Sequence, residues 1–285
     1  MRWRSGRRSR NVEDRRGRRI GRKTAGGGIG VVVIALIAMY FGVDPSVFLN
    51  QQAPPTSGTS PYSVSTSHTP QEQQLAEFVS VVLADTEDTW HALFRKYDRT
   101  YSEPTLVLFS GAVESACGYA QAAVGPFYCP RDRKVYIDLG FYSDLKNRFQ
   151  APGDFAQAYV IAHEIGHHVQ TLLGISKKAH NLRNRVSKVQ ANRLSVMQEL
   201  QADCFAGLWA HHAHKARQIL EEGDIEEALN AASSIGDDRL QQQSRGYVTP
   251  DSFTHGSSKQ RVRWFRRGFK TGDISQCNTF KAENL

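Results

Sequence analysis

Along residues 70–94, apolar side chains fall at Leu75, Phe78, Val79, Val82 and Leu83. This i, i+3, i+4, i+7, i+8 spacing gives an α-helix one stripe to bury against a core. The run Thr69-Pro-Gln-Glu72 marks its start as a capping box with proline at the first helical position. Two short runs rich in β-branched and aromatic residues, 105–109 (between Pro104 and Gly111) and 135–139, predict strands. Beyond residue 150 the helical period dominates and predicts helices at about 154–173, 186–212, 224–235 and 257–269. About 215 residues follow Pro70, enough for one domain with a sizeable core. The expected fold class is α+β, mainly helical, with a small sheet beside the 154–173 helix.

Upstream of this domain the pattern changes twice. Residues 1–23 carry ten Arg and one Lys against Glu13 and Asp14, a net +9, so the rest of this +8 chain sums to about −1. The charge therefore demands no basic face on the folded part, and no nucleic-acid partner is expected. Residues 26–43 are uncharged, and eighteen helical residues rise about 27 Å, near the hydrocarbon thickness of a bilayer. Ala38-Met-Tyr-Phe-Gly-Val offers no good small-x-small cleavage site, and a buried core helix does not normally adjoin an Arg-rich tail. The reading is an uncleaved single-pass transmembrane anchor, with the bilayer itself as a partner. Flanking charge puts residues 1–25 in the cytoplasm and the domain periplasmic or extracellular, at the inner membrane. Residues 44–69, rich in Gln, Pro, Ser and Thr, read as a flexible tether before a domain at 70–285.

The chemistry concentrates at 163–167, His-Glu-Ile-Gly-His. On a helix, His163 and His167 at i and i+4 share a face and can aim two imidazoles at one point, a pairing that suits Zn²⁺. Glu164 beside them can act as base for a zinc-activated water. A catalytic zinc needs a third protein ligand. A histidine six residues after the second ligand is excluded, because that position holds Leu173. Glu199, in the Glu-Leu-Gln-Ala-Asp run of the 186–212 helix, is the candidate, and Asp203 one turn on can accept a hydrogen bond from a ligand imidazole. Apolar Leu200, Ala202, Phe205, Ala206 and Trp209 surround these acids, and bare carboxylates in such surroundings need partners.

His-Glu-x-x-His followed by Glu-x-x-Ala-Asp resembles the gluzincin metallopeptidases. More closely, the chain resembles the neutral zinc metallopeptidases of bacteria, a membrane-anchored group. The resemblance runs through Gly-Pro-Phe-Tyr-Cys-Pro at 125–130, Val-Tyr-Ile-Asp at 135–138, the zinc motifs at 163–167 and 199–207, Ser-Phe-Thr-His-Gly-Ser-Ser at 252–258, and 261–268. It implies a zincin-like domain with one zinc ion that hydrolyses protein or peptide substrates, and it brings no particular substrate with it.

His255 is the candidate oxyanion donor, with Tyr247 second; a loop histidine bonding backbone is the alternative for His255. His168 sits about 100° around the helix from His167 and is not expected to bind metal. His211, His212 and His214 read as solvated or capping residues. The basic run Lys259, Arg261, Arg263, Arg266, Arg267 and Lys270, interleaved with Val262, Trp264, Phe265 and Phe269, reads as an amphipathic helix packing on the core. Cys117, Cys129, Cys204 and Cys277 contain no Cys-x-x-Cys pair, and an even number in an exported domain points to two disulfides with three possible connectivities. The expected pairs are Cys117–Cys129, closing a short hairpin-like loop, and Cys204–Cys277, stapling the C-terminal segment to the Glu199 helix; free buried thiols are the alternative. Zinc peptidases often hold substrate as an added strand, and 125–128 or 135–138 could offer that edge. The leading function is a zinc endopeptidase. A zinc amidase cutting cell-wall peptides and a non-catalytic zinc-stabilised membrane scaffold are the alternatives, and the scaffold has no use for Glu164.

Overall fold

The computed structural model describes residues 1–17 and 68–285. Its helices are α1 (Pro70–Lys96), α2 (Phe141–Asn147), α3 (Asp154–Leu172), α4 (Ile175–Arg183), α5 (Lys188–Arg217), α6 (Asp224–Ser234), α7 (Asp237–Arg245) and α8 (Ser258–Thr271). Its strands are β1 (Val12–Asp14), β2 (Thr105–Phe109), β3 (Ala112–Ser115), β4 (Gly118–Gln121), β5 (Phe127–Cys129) and β6 (Lys134–Asp138). Capping boxes start α1 (Thr69/Glu72), α5 (Ser187/Gln190) and α8 (Ser257/Gln260), each satisfying otherwise orphaned backbone donors.

The larger sheet has the order β1-β2-β6-β5, with β1, β2 and β6 parallel and β5 antiparallel along one edge. Of the two segments expected to offer an edge, 135–138 therefore lies inside the sheet and 127–129 forms its border. β3 and β4 make a separate hairpin. The core lies between the sheet and the helices, around Trp90, Leu106, Ile137, Phe155, Tyr159, Phe205, Trp209 and Phe265.

Glycines set the helix crossings that build the site. A Cβ at Gly207 would lie 2.0 Å from the Phe265 carbonyl oxygen, and one at Gly268 would lie 2.0 Å from that of Cys204. α5 and α8 thus touch backbone to backbone. A Cβ at Gly166 would come within 3.0 Å of the Ala202 oxygen, so α3 also lies close against α5. Disulfides join Cys117 to Cys129 and Cys204 to Cys277, the second tying the C-terminal segment to α5. His211 and His212 bond the Phe269 and Gly272 carbonyls at the end of α8.

The expected N-terminal transmembrane helix needs correcting. The span at 26–43 and nearly all of the tether at 44–69 lie outside the described residues, and among the described residues no helix is long and apolar enough to cross a membrane. The packing of residues 1–17 supplies a positive reason. β1 pairs in parallel with β2, and Trp3 is buried edge-on against Phe78 of α1. A single span between residues 17 and 68 would put these partners on opposite sides of a bilayer. The fold class is therefore a mainly helical α+β domain with small sheets, and the single-pass inner-membrane placement, N-terminus inside and domain outside, is corrected with it. Counting charges misled because several of the arginines are paired. Arg7 meets Glu87 and Asp88, Arg8 meets Glu77, and Arg16 meets Asp14 and the Glu72 carbonyl.

Candidate metal centre

α3 is buried over most of its length, which holds His163, Glu164 and His167 on a rigid support. α5 crosses it and carries Glu199 to the same point. His163 Nε2 lies 3.1 Å from Glu199 Oε2, and His167 Nε2 lies 3.4 Å from Glu199 Oε1. One ligand atom from each of the three residues falls within 4.8 Å of the others, so they could hold a metal ion. The imidazoles stand at 89°, with ring centroids 4.8 Å apart.

Each histidine is oriented through its other nitrogen. His163 Nδ1 meets Asp203 Oδ1 at 2.9 Å. Asp203 is wholly buried and receives Arg261 Nε and Nη2 at 2.9 and 3.0 Å, together with the Tyr159 hydroxyl. His167 Nδ1 meets Gln170 Oε1 at 2.9 Å. The Gln170 amide nitrogen donates to the Gln198 carbonyl and to Gln201 Oε1, and Gln201 donates in turn to the Cys277 carbonyl. Because the Gln170 nitrogen is committed as a donor, its oxygen faces His167 as an acceptor. Both imidazoles are thereby set to present Nε2 toward Glu199, as ligand histidines are set by their outer partners.

The charges also fit a cation. Burial works against a proton on His163, but Asp203 and Glu199 lift its pKa to about 10. His167 is raised against burial by Glu199. Against the same burial, Arg261 and His163 hold Asp203 at about 2, and His167 and His163 hold Glu199 well below the usual carboxylate range. The surroundings of Glu199 thus favour positive charge, of the kind a metal dication would bring. Nitrogen and carboxylate donors, preset tautomers and a compensating anionic shell suit zinc.

Glu164 is buried beside His163, and burial pushes its pKa up. His255 lines the same cleft. Its loop is held by Asp237, whose Oδ2 accepts the backbone N–H groups of Thr254, His255 and Gly256 at 2.7, 2.7 and 3.0 Å. Asp237 Oδ1 lies 3.2 Å from His255 Nδ1. Burial disfavours a proton on His255, yet Asp237 and Glu199 raise its pKa. Tyr247, the second oxyanion candidate, is 60% exposed and does not line the cleft. Arg261, Gln170, Tyr159 and Asp237 escaped the sequence reading as site residues. A pairing signal for Arg261 did not exist, since nothing local separates it from the five other arginines and lysines on α8.

His168 points away from this centre. Its Nε2 donates to the Ser102 carbonyl at 2.6 Å, and its Nδ1 accepts the Tyr128 hydroxyl at 3.1 Å, pinning β5 to α3. Burial lowers its pKa to about 4. Between that value and about 6.5, the unfolded chain binds a proton here that the folded chain does not. Stability is therefore complete above pH 6.5 and falls as the pH drops toward 4, by roughly 3 kcal/mol from this group. Urea unfolding of the parent and of His168→Asn should differ most at pH 7 and converge by pH 4.5; a gap that is the same at both pH values contradicts the assignment.

The site opens into a cleft of about 290 Å³. Its walls come from 122–128, from α2 (Phe141, Asp144) with the adjoining Arg148 and Phe149, and from Ile235, Leu240 and His255. Two imidazoles and a carboxylate converge on the floor of a cleft bordered by an edge strand, with a buried glutamate beside them; this is the arrangement of a metallopeptidase. Residues 1–280 match the family described as “Putative neutral zinc metallopeptidase”, and the chain belongs to that family. It is 52% identical to “Uncharacterized protein YpfJ” of Escherichia coli K12, over 98% of this chain and 99% of that protein. “Uncharacterized protein Mb2605” of Mycobacterium bovis and “Uncharacterized protein Rv2575” of Mycobacterium tuberculosis H37Rv are each 40% identical, over 87% of this chain and 86% of theirs. No solved structure matches the chain.

Proposed function

We propose that the protein is an endopeptidase using one zinc ion per chain, with His163, His167 and Glu199 as ligands and Glu164 as general base. The convergence of three ligand atoms within 4.8 Å on the floor of the cleft that Glu164 also lines carries this reading. Zinc held there by His163, His167 and Glu199 would supply Lewis acidity toward a water and the scissile carbonyl. Glu164 takes the proton from the attacking water and passes it to the leaving amine, roles to which its raised pKa is matched. Asp203, braced by Arg261 and Tyr159, and Gln170 keep the ligand imidazoles in register. His255 offers an N–H to the developing oxyanion, and Asp237 keeps its ring turned toward the site. β5 is an edge strand along the cleft, where an extended substrate can add as a further strand.

The test is cleavage of a mixed library of unfolded proteins and peptides by the zinc-loaded chain. Chelation should abolish cleavage, and one equivalent of zinc should restore it. A folded, zinc-loaded chain that cuts nothing in the library overturns the reading. In the same assay His255→Ala should lower kcat about 10²–10³-fold with zinc content unchanged. Zinc lost in step with turnover would make His255 a structural residue instead.

A further inference from the structure

The outer side of α8 carries a line of cations that the metal centre does not use. The helix Ser258–Thr271 holds six Lys and Arg and no acidic residue. Arg261 turns inward to Asp203, the one ion pair that α8 makes among the described residues. Lys259, Arg263, Arg266, Arg267 and Lys270 are exposed. Their spacing, i, i+4, i+7, i+8 and i+11, sets them along one side of the helix over about 17 Å of its axis. Like charges three or four apart disfavour a helix, and Lys259 sits in the first turn, where the dipole opposes a cation. Packing does not call for this line, since the buried stripe of α8 is Arg261, Trp264, Phe265 and Gly268. The five cations line a groove of about 840 Å³ whose other walls are Ser233, Asp238, Ser258 and Val262. This groove shares a wall with the metal-centre cleft. Ile235, Leu240 and His255 line the cleft, and Ser233, Asp238 and Ser258 of the same two segments line the groove. Ser258 is three residues from His255, so the two openings lie at most about 11 Å apart along this wall.

We propose that this groove is an exosite that holds an Asp- and Glu-rich segment of the substrate polypeptide, outside the residues that flank the scissile bond. The inference rests on the endopeptidase reading above and adds a substrate class to it. An extended strand advances about 3.3 Å per residue, so about four residues bridge cleft and groove and about five run along the cations. Arginine presents a planar fork that matches a carboxylate, and Arg263, Arg266 and Arg267 offer three of them. Arg267 is also held in place, 5.1 Å over the Trp264 ring and bonded to Gln276. Asp238 is the one carboxylate among the lining residues, and its Oδ1 already accepts the Ser258 N–H and hydroxyl. A bilayer surface matches less well, because a helix lying in a membrane needs large apolar side chains beside its cations, and Trp264 and Phe265 are turned into the core. Single-stranded nucleic acid binds on exposed aromatic rings, and the groove lining has none. An exosite holds substrate and transition state alike, so its contribution falls on KM rather than on kcat.

The full-length zinc-loaded chain would be assayed on peptides that share one cleavable core. A block of about five Asp and Glu, or of about five Gln and Ser, is placed about four residues before or after the bond. Exposed ion pairs are each worth a factor of about two, so the acidic block should lower KM by about tenfold on one side of the bond, with kcat within about threefold. The advantage should shrink to about twofold as NaCl rises from about 0.05 to about 0.5 M. The triple substitution Arg263→Gln, Arg266→Gln, Lys270→Gln, at exposed positions, should lose the advantage yet cut the neutral peptide as the parent does. Fluorescence anisotropy of the labelled acidic block on Glu164→Gln reads the groove without any cleavage, and adding the triple substitution should weaken binding about tenfold. Equal KM for acidic and neutral peptides, or an advantage that survives the triple substitution, overturns the exosite and leaves the peptidase reading intact. Phosphatidylglycerol vesicles or a single-stranded oligonucleotide that bind this face more tightly than the acidic block overturn it as well, and assign the face to that partner. A chain that cuts none of the peptides overturns the peptidase reading, and the substrate role of the groove falls with it.

Discussion

Glu164→Gln is expected to lower kcat by about 10²–10⁴-fold while the zinc content stays at that of the parent. The two halves of this result rest on different residues. In the proposed mechanism metal binding rests on His163, His167 and Glu199, the group whose ligand atoms converge, and not on Glu164. Proton transfer is the role proposed for Glu164, and glutamine keeps its size and one oxygen acceptor but cannot take up a proton. The substitution should also leave the fold intact. Glu164 is buried at 8% exposure, and its pKa is already pushed up by that burial, so a neutral isostere removes a charge the site accommodates poorly. Single-turnover cleavage, zinc determination and thermal unfolding on one preparation separate the three quantities. A variant that loses zinc in proportion to activity would make Glu164 part of the ligand shell. A variant that keeps more than about a tenth of the parent kcat would leave the general base unidentified.

Sequence legibility followed the range of the interactions. Local signals, which act within a turn or two, read correctly: the capping box at Thr69–Glu72, the apolar stripe of α1, the run 105–109, and the helical period over 154–173. The i, i+4 pairing of His163 with His167 and of Glu199 with Asp203 is likewise a property of a single helix, and the two pairs are brought together where α3 crosses α5. The helices α2, α4 and α7 span only seven to nine residues, too short to show a period; two of them frame the cleft, through Phe141 and Leu240. What escaped is what depends on a crossing. Arg261 and Asp203 are 58 residues apart, and Asp237 and His255 are 18 apart on a helix start and a loop. No periodicity in one segment reports its distance from another. The anchor is the instructive failure. An arginine-rich start beside an uncharged run reads as a membrane topology signal when charges are counted singly. In the fold Arg7, Arg8 and Arg16 face carboxylates of α1 and of β1 itself.

The largest stability effect should follow from Arg261→Met. Arg261 is 2% exposed and Asp203 not at all, and the pair is joined by two hydrogen bonds inside the core. Arg261 Nη1 also donates to the Ile235 carbonyl, so the side chain links α8, α5 and the end of α6. Methionine can fill much of the volume but leaves Asp203 ionised and buried, with His163 and Tyr159 as its remaining partners among the described residues. Breaking a buried pair from one side typically costs about 3–5 kcal/mol, because the remaining charge is uncompensated. The same loss should propagate to the metal. With Arg261 gone, Asp203 is no longer held at its geometry, His163 loses its fixed tautomer, and zinc affinity should fall about 10–100-fold. Asp203→Asn separates the two consequences, since it removes the buried charge yet keeps an oxygen that can accept from His163 Nδ1. Combined with Arg261→Met, it should recover more than about 1 kcal/mol relative to the sum of the single substitutions, because neither charge is then left alone. Urea unfolding of the zinc-free proteins gives the cycle, and competition with a chromogenic chelator gives the affinities. Strict additivity would mean that Arg261 acts by packing alone. A recovered stability with zinc affinity still weakened in the double variant would show that the site requires the Asp203 charge, and not merely an acceptor, behind His163.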